Sequence, residues 1–120
     1  MLLSQEFVQR FVGGQAQMTC EGQEGDQDRV YIAEIAAISF SGSGSYLLQL
    51  DFTERVVELV RGRWEKATKD RPTRVWWLAS NEIEDFDWGM VRIRYQTERS
   101  RLDLLPPNDP RRFDFTSIGL

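Results

Sequence analysis

Six arginines lie between Trp88 and Arg112, against three acids, Glu98, Asp103 and Asp109. Arg92 and Arg94 alternate with Val91, Ile93 and Tyr95. A period of two is the pattern of a half-buried antiparallel strand with one row turned to solvent. Arg99 and Arg101 follow closely, and Arg111-Arg112 lie beyond. Leu102 and Leu104 mark a partner strand after a turn at 97–100. Pairing of the two strands brings Arg101 beside Arg92 or Arg94 on one wet face. Such a face suits an acidic protein partner. With aromatic surface nearby it also suits single-stranded nucleic acid. The plainer reading is an outer sheet face laced with ion pairs.

Tryptophan is the second candidate. Trp64, Trp76, Trp77 and Trp88 are many for 120 residues. Thr73 to Ala79, TRVWWLA, reads as a strand that is apolar on both faces, hence central in a sheet or part of an interface. Adjacent Trp76 and Trp77 cannot share one face of a strand. One of them needs a second covering layer or a partner, and Trp and Arg are the residues enriched at interface hot spots. Trp76, Arg92, Arg94 and Arg101 are therefore the candidate ligand- or partner-binding residues.

The acids Glu82, Glu84, Asp85 and Asp87 form the third group, in a segment read as a loop over Asn81 to Asp87. Oxygen-rich loops hold calcium or magnesium, and paired carboxylates do acid–base work. The segment lacks the spacing and turn glycine of an EF-hand loop, and a solvated loop facing nearby arginines is the plainer reading. Ser41 to Ser45, SGSGS, resembles a phosphate-cradling loop in composition alone. No Lys-Ser/Thr pair follows it, and a strand follows where a helix is required.

The absence of histidine removes Ser-His-Asp and Cys-His catalysis and His-containing zinc sites. A single cysteine, Cys20, removes internal disulfides and thiolate zinc sites. No catalytic, metal-ligating or cofactor-binding residue is assigned. Alternation from Gln15 to Cys20 places Ala16, Met18 and Cys20 on an inner face, with Gln15, Gln17 and Thr19 on a wet one. Cys20 is then a buried, inert thiol.

The elements that must carry these residues are mostly strands. Leu3, Phe7, Val8 and Phe11 have helical spacing, with Ser4 as cap and Gly13-Gly14 as terminator. Tyr31 to Phe40 and Tyr46 to Phe52 read as two strands about the Gly/Ser turn; the first has Ile32, Ile35, Ile38 and Phe40 spread over both faces, and a helix through Tyr31, Ile35 and Ile38 is its competing reading. Thr53 to Lys69 has two readings. Val56, Leu59, Val60, Trp64 and Ala67 fit one face of a helix, the reading preferred here. The alternative is a hairpin about Arg61-Gly62-Arg63, since Gly62 is costly inside a helix. Phe113 and Phe115 follow three prolines and read as a short edge strand or a clip onto the core.

The expected fold class is α+β: an antiparallel sheet of about five or six strands with an N-terminal helix and a second helix if 53–69 is helical. A small closed β-barrel with one helix is the alternative. The length suits a single domain over 1–120. Fifteen basic and nineteen acidic side chains give a net charge of −4, which disfavours constitutive nucleic-acid or anionic-membrane binding. No stretch has the length of a membrane span, and the N-terminus lacks a basic leader region, so the expected location is the cytoplasm.

The expected function is that of a non-enzymatic binding or protein-interaction module, whose partner is an unknown protein or a second copy of the chain. The homodimer follows if 53–69 is a hairpin, because one aromatic sheet face then lacks a cover. The alternative functions are a small metal-dependent hydrolase or nuclease using 82–87, and single-stranded nucleic-acid binding on the arginine face.

Overall fold

The computed structural model describes residues 4–20, 29–41, 48–67, 75–78, 82–87, 89–95 and 98–120. Two long strands, β2 (Arg29–Phe40) and β3 (Leu48–Val60), form its centre. Around them lie β1 (Gln15–Cys20), β4 (Arg63–Lys66), β5 (Val75–Leu78), β6 (Ile83–Asp87), β7 (Met90–Tyr95) and β8 (Glu98–Leu105). Every pairing is antiparallel. The spatial order is β4-β3-β2-β1-β8-β7-β6, with β5 beside the first half of β3. The expected α+β class, an antiparallel sheet with one N-terminal helix, is what the chain forms. The sheet does not close into a barrel: among the described residues no pairing joins β6 to β4 or β5.

The helical reading of 53–69 is overturned. β3 runs to Val60, turns through Arg61 and Gly62, and returns as β4. Arg61 and Gly62 both have positive φ, 49° and 78°, as a two-residue type I′ hairpin turn requires. In the hairpin the same apolar residues are divided between two strands and both sheet faces, so their spacing does not choose between helix and hairpin. Pairing decides between them: β2 is already in place beside β3, and Val56, Val57 and Val60 suit a pleated surface better than a helix.

A bulge explains why Ile32 to Phe40 looks apolar on both sides. Register shifts fall between Ala33 and Ile35 and between Ile35 and Ala37. An extra residue at a bulge exchanges the faces. Ile32 therefore joins Val57 and Phe115 in one cluster, while Ala33, Ile35 and Ile38 join Leu50, Phe52, Val91 and Leu102 in the larger one.

The larger cluster is closed by the short helix α1 (Gln5–Val8) and the 3-10 turn Gln9–Phe11, which bury Val8 and Phe11. Ser4 caps α1 as expected, accepting from the Phe7 N–H at 3.1 Å. Gln5 covers the part of β2 that β1 does not reach. Its Nε2 donates to the Ile38 carbonyl at 3.0 Å and its Oε1 accepts from the Phe40 N–H at 2.7 Å. A primary amide carries the same donor and acceptor as a peptide unit, so one side chain replaces a piece of missing strand.

The other face, expected to be wet along β1, is crossed by the C-terminal strap, residues 106–120. Gln15 is buried there. Its Nε2 donates to the Phe113 carbonyl at 2.6 Å, and its Oε1 accepts from the Phe113 N–H at 2.8 Å. Gln17 donates to the Arg111 carbonyl at 3.2 Å. Phe113 packs on Trp64 at 5.1 Å between ring centroids and edge-on to Phe115 at 5.4 Å. Phe113 and Phe115 are thus the clip, and they cover Ile32, Val57 and Trp64 of β2, β3 and β4. Polar alternation is a poor guide here because a glutamine can be buried when both ends of its amide are bonded.

The strap holds two carboxylates below the ordinary aspartate range. Asp109 is held there chiefly by the Arg111 side chain, which donates to it at 2.9 Å. Asp114 is held there chiefly by the Thr116 hydroxyl at 2.6 Å, and then by the Thr116 N–H. Both pKa values are depressed by folding, so the stabilisation is complete above the unfolded value of about 3.9 and disappears as pH falls through the folded values. Carboxyl chemical shifts of Asp109 and Asp114 should titrate with midpoints below that value. Midpoints at or above it would mean these contacts do not persist in solution.

Candidate functional site: the arginine face of strands β7 and β8

β7 and β8 pair residue for residue from Met90↔Asp103 to Tyr95↔Glu98. Residues 96–97 lie outside the described set, and β8 begins at Glu98, inside the expected turn at 97–100 and opposite Tyr95. This sets the register that spacing alone left open. Arg92 stands directly opposite Arg101, and Arg94 opposite Arg99. Val91 and Leu102 are wholly buried in the larger core. Their neighbours Arg92 and Arg101 are exposed on the reverse face, as the alternation predicts. The side chains of Ile93 and Arg94 lie outside the described set.

The strap brings further arginine to this face. Gln17 pairs with Asp103 of β8, and the Arg111 carbonyl sits on the Gln17 amide. Arg111 reaches Asp109 at 2.9 Å, and Arg101 reaches Asp103 at 3.1 Å. Both pairs are solvent-exposed on the arginine side and contribute little to stability. On the outer side of the ribbon, β6 sets Asp85 opposite Arg92 and Asp87 opposite Met90.

Trp76 is not part of this arrangement. It pairs with Leu50 across β5 and β3, and β3, β2, β1 and β8 separate β5 from β7. Leu50 belongs to the core on the reverse of the arginine face. β5 was expected to be central in a sheet or part of an interface; among the described residues it pairs with β3 alone. The side chains of Trp76 and Trp77 lie outside the described set, as do Trp88 and the Gly/Ser turn over 42–47.

The expected acidic loop is a strand. Ile83–Asp87 pairs with β7, with a register shift between Ile83 and Asp85. Ile83 stands opposite Ile93 in it, and Phe86 opposite Val91. A strand spreads successive residues over two faces and offers a cation fewer converging oxygens than a loop does. Among the described residues no group of three or more His, Cys, Asp or Glu is placed to hold a metal ion. An acidic edge strand also resists edge-to-edge pairing.

Cys20 is half-buried at the end of β1, less enclosed than its alternation with buried Ala16 predicts. An open cleft of about 620 Å³ lies between Glu34, Thr53, Arg55 and Lys66, but Glu34 is already engaged by the Thr53 hydroxyl at 3.2 Å and by Arg55 at 3.5 Å. Among the described residues no helix is long and apolar enough to cross a membrane. No known family, curated protein or solved structure matches the chain.

Opposed arginines repel across a strand pair. Arg92→Ser should therefore leave stability unchanged or raise it by up to about 0.5 kcal/mol, the usual bound for surface changes. Urea titration measures this. A loss above about 1 kcal/mol would show that Arg92 is a structural residue.

Proposed function

We propose that this protein is a non-enzymatic binding module that takes an anionic partner on the arginine face of β7 and β8. The observation that carries this reading is the register: two consecutive cross-strand arginine pairs, Arg92–Arg101 and Arg94–Arg99. Directly opposed like charges destabilise a sheet, and nothing in the packing of Val91 and Leu102 requires them on the other face. The register sets three acids, Asp103, Asp85 and Asp87, beside the four arginines, which leaves an excess of one arginine. The chain lacks histidine, and among the described residues no three or more of Cys, Asp and Glu are grouped to hold a metal ion.

The test is thermal unfolding with added tripolyphosphate or with magnesium, calcium or manganese. A ligand at a hundred times its dissociation constant stabilises by about 2.7 kcal/mol. Tripolyphosphate should raise the melting temperature of the native chain, and not that of an Arg92→Ser/Arg101→Ser variant. A response to the divalent cations without one to the anion would reject this reading in favour of a metal-dependent enzyme.

A further inference from the structure

We infer that the occupant of the arginine face is an extended acidic segment of another protein, with carboxylates at alternate positions, lying along β7 and β8. This rests on the reading above and specifies its partner. Arg92 and Arg94 are two residues apart on one strand, and Arg99 and Arg101 two apart on its neighbour. Residues two apart in an extended chain are separated by about 6.6 Å, so acids at alternate positions of a peptide repeat at the spacing of the arginines. Each guanidinium can take a carboxylate through two parallel N–H donors.

The surroundings select a short peptide over nucleic acid. One step along the ribbon from the Arg92–Arg101 pair, the register reaches Met90 and Asp103, and one strand outward it reaches Asp85. The basic track is thus two residues long on each strand and bounded by carboxylates. A long polyanion crossing it would meet those acids. The described residues of this face on β1, β7 and β8 are Gln15, Gln17, Thr19, Met90, Arg92, Arg101, Asp103 and Leu105, none of them aromatic; the strap's Phe113 lies at the Gln15 end, packed between Trp64 and Phe115. Single-stranded nucleic acid is held by aromatic rings as much as by charge.

Fluorescence anisotropy with three labelled probes of equal length tests this: an alternating Glu-Thr octapeptide, a block octapeptide of four Thr then four Glu, and an oligothymidylate. The alternating peptide should bind at least tenfold more tightly than either other probe. Arg94→Ser and Arg99→Ser should each weaken it severalfold, and Arg92→Lys should weaken it too, because lysine keeps the charge but loses the fork. Circular dichroism establishes that the variants fold. Equal binding of the two peptides, or tighter binding of the oligothymidylate, overturns the inference while the arginine face still stands as a binding site. No binding by any probe, with no effect of tripolyphosphate on melting, overturns both.

Discussion

Gly14→Ala should cost more than about 3 kcal/mol, above the usual range for an added methylene. A Cβ at Gly14 would stand 1.8 Å from the Leu105 carbonyl oxygen, 2.9 Å from its carbon and 3.0 Å from the Pro106 carbonyl carbon. All three are backbone atoms, so no side chain can rotate away. The backbone of Gly14 is itself fixed from two sides. Its N–H donates to the Phe11 carbonyl at 2.9 Å, and its carbonyl accepts from the Ile35 N–H at 2.9 Å. The next residue begins the β1–β8 ladder, with Gln15 opposite Leu105. Relief of the clash must pull β1 from β8 or from β2. Gly62→Ala is the control: nothing lies within 4 Å of a Cβ there, and only the positive φ of 78° opposes it, at about 1–2 kcal/mol. Urea titration of both variants measures the difference. Equal losses would mean that β1 and β8 are not so closely apposed at Gly14.

Gln15→Leu should cost about 2–3 kcal/mol and release the strap. The substitution keeps the volume but leaves the Phe113 N–H and carbonyl without partners. Phe115, 4 % exposed on Ile32 and Val57, depends on the same anchor two residues away. Hydrogen exchange at Leu120, whose N–H donates to the Phe115 carbonyl, should accelerate with the loss of stability. Gln15→Glu separates hydrogen bonding from shape. An ionised carboxylate accepts from the Phe113 N–H but cannot donate to its carbonyl, whereas the protonated acid can do both. Burial raises the pKa of that carboxyl in the folded state. Its stabilisation is then complete below about 4.3, the unfolded glutamate value, and is lost as pH rises through the folded one. Gln15→Glu should therefore come closest to the native chain at low pH. A deficit independent of pH would show that the Gln15–Phe113 bonds are not what holds the strap.

Both residues show the limit of reading by period. The strand character of Gln15–Cys20 and Met90–Tyr95 is legible because alternation is a local property of consecutive residues. The same holds for the Ser4 cap and for the apolar stripe of α1, and for the separation of Arg92 from Val91. Gln15 was misread because polarity predicts exposure only where no distant backbone offers the amide a partner. Residues 53–69 depart from the helical spacing of Val56, Leu59, Val60 and Trp64 because the hairpin divides these residues between two strands and both sheet faces, which no local period shows. Choosing between helix and hairpin required the neighbour strand β2.

The arginine site divides in the same way. Composition and alternation by themselves place Arg92 and Arg94 on one side of a strand with Arg101 close in sequence, and make histidine-based chemistry impossible. The tertiary structure alone decided that Arg101 stands opposite Arg92 and Arg99 opposite Arg94, because that register is set by the backbone pairing of β7 with β8. It alone laid Arg111 over the same face, through a bond between residues 94 apart in the chain. It also set Trp76 at the far side of the sheet, since strand order follows from which edges find partners rather than from the residues within a strand. Local spacing specifies the faces of an element; the juxtaposition of elements is set by burial and backbone pairing across the whole chain.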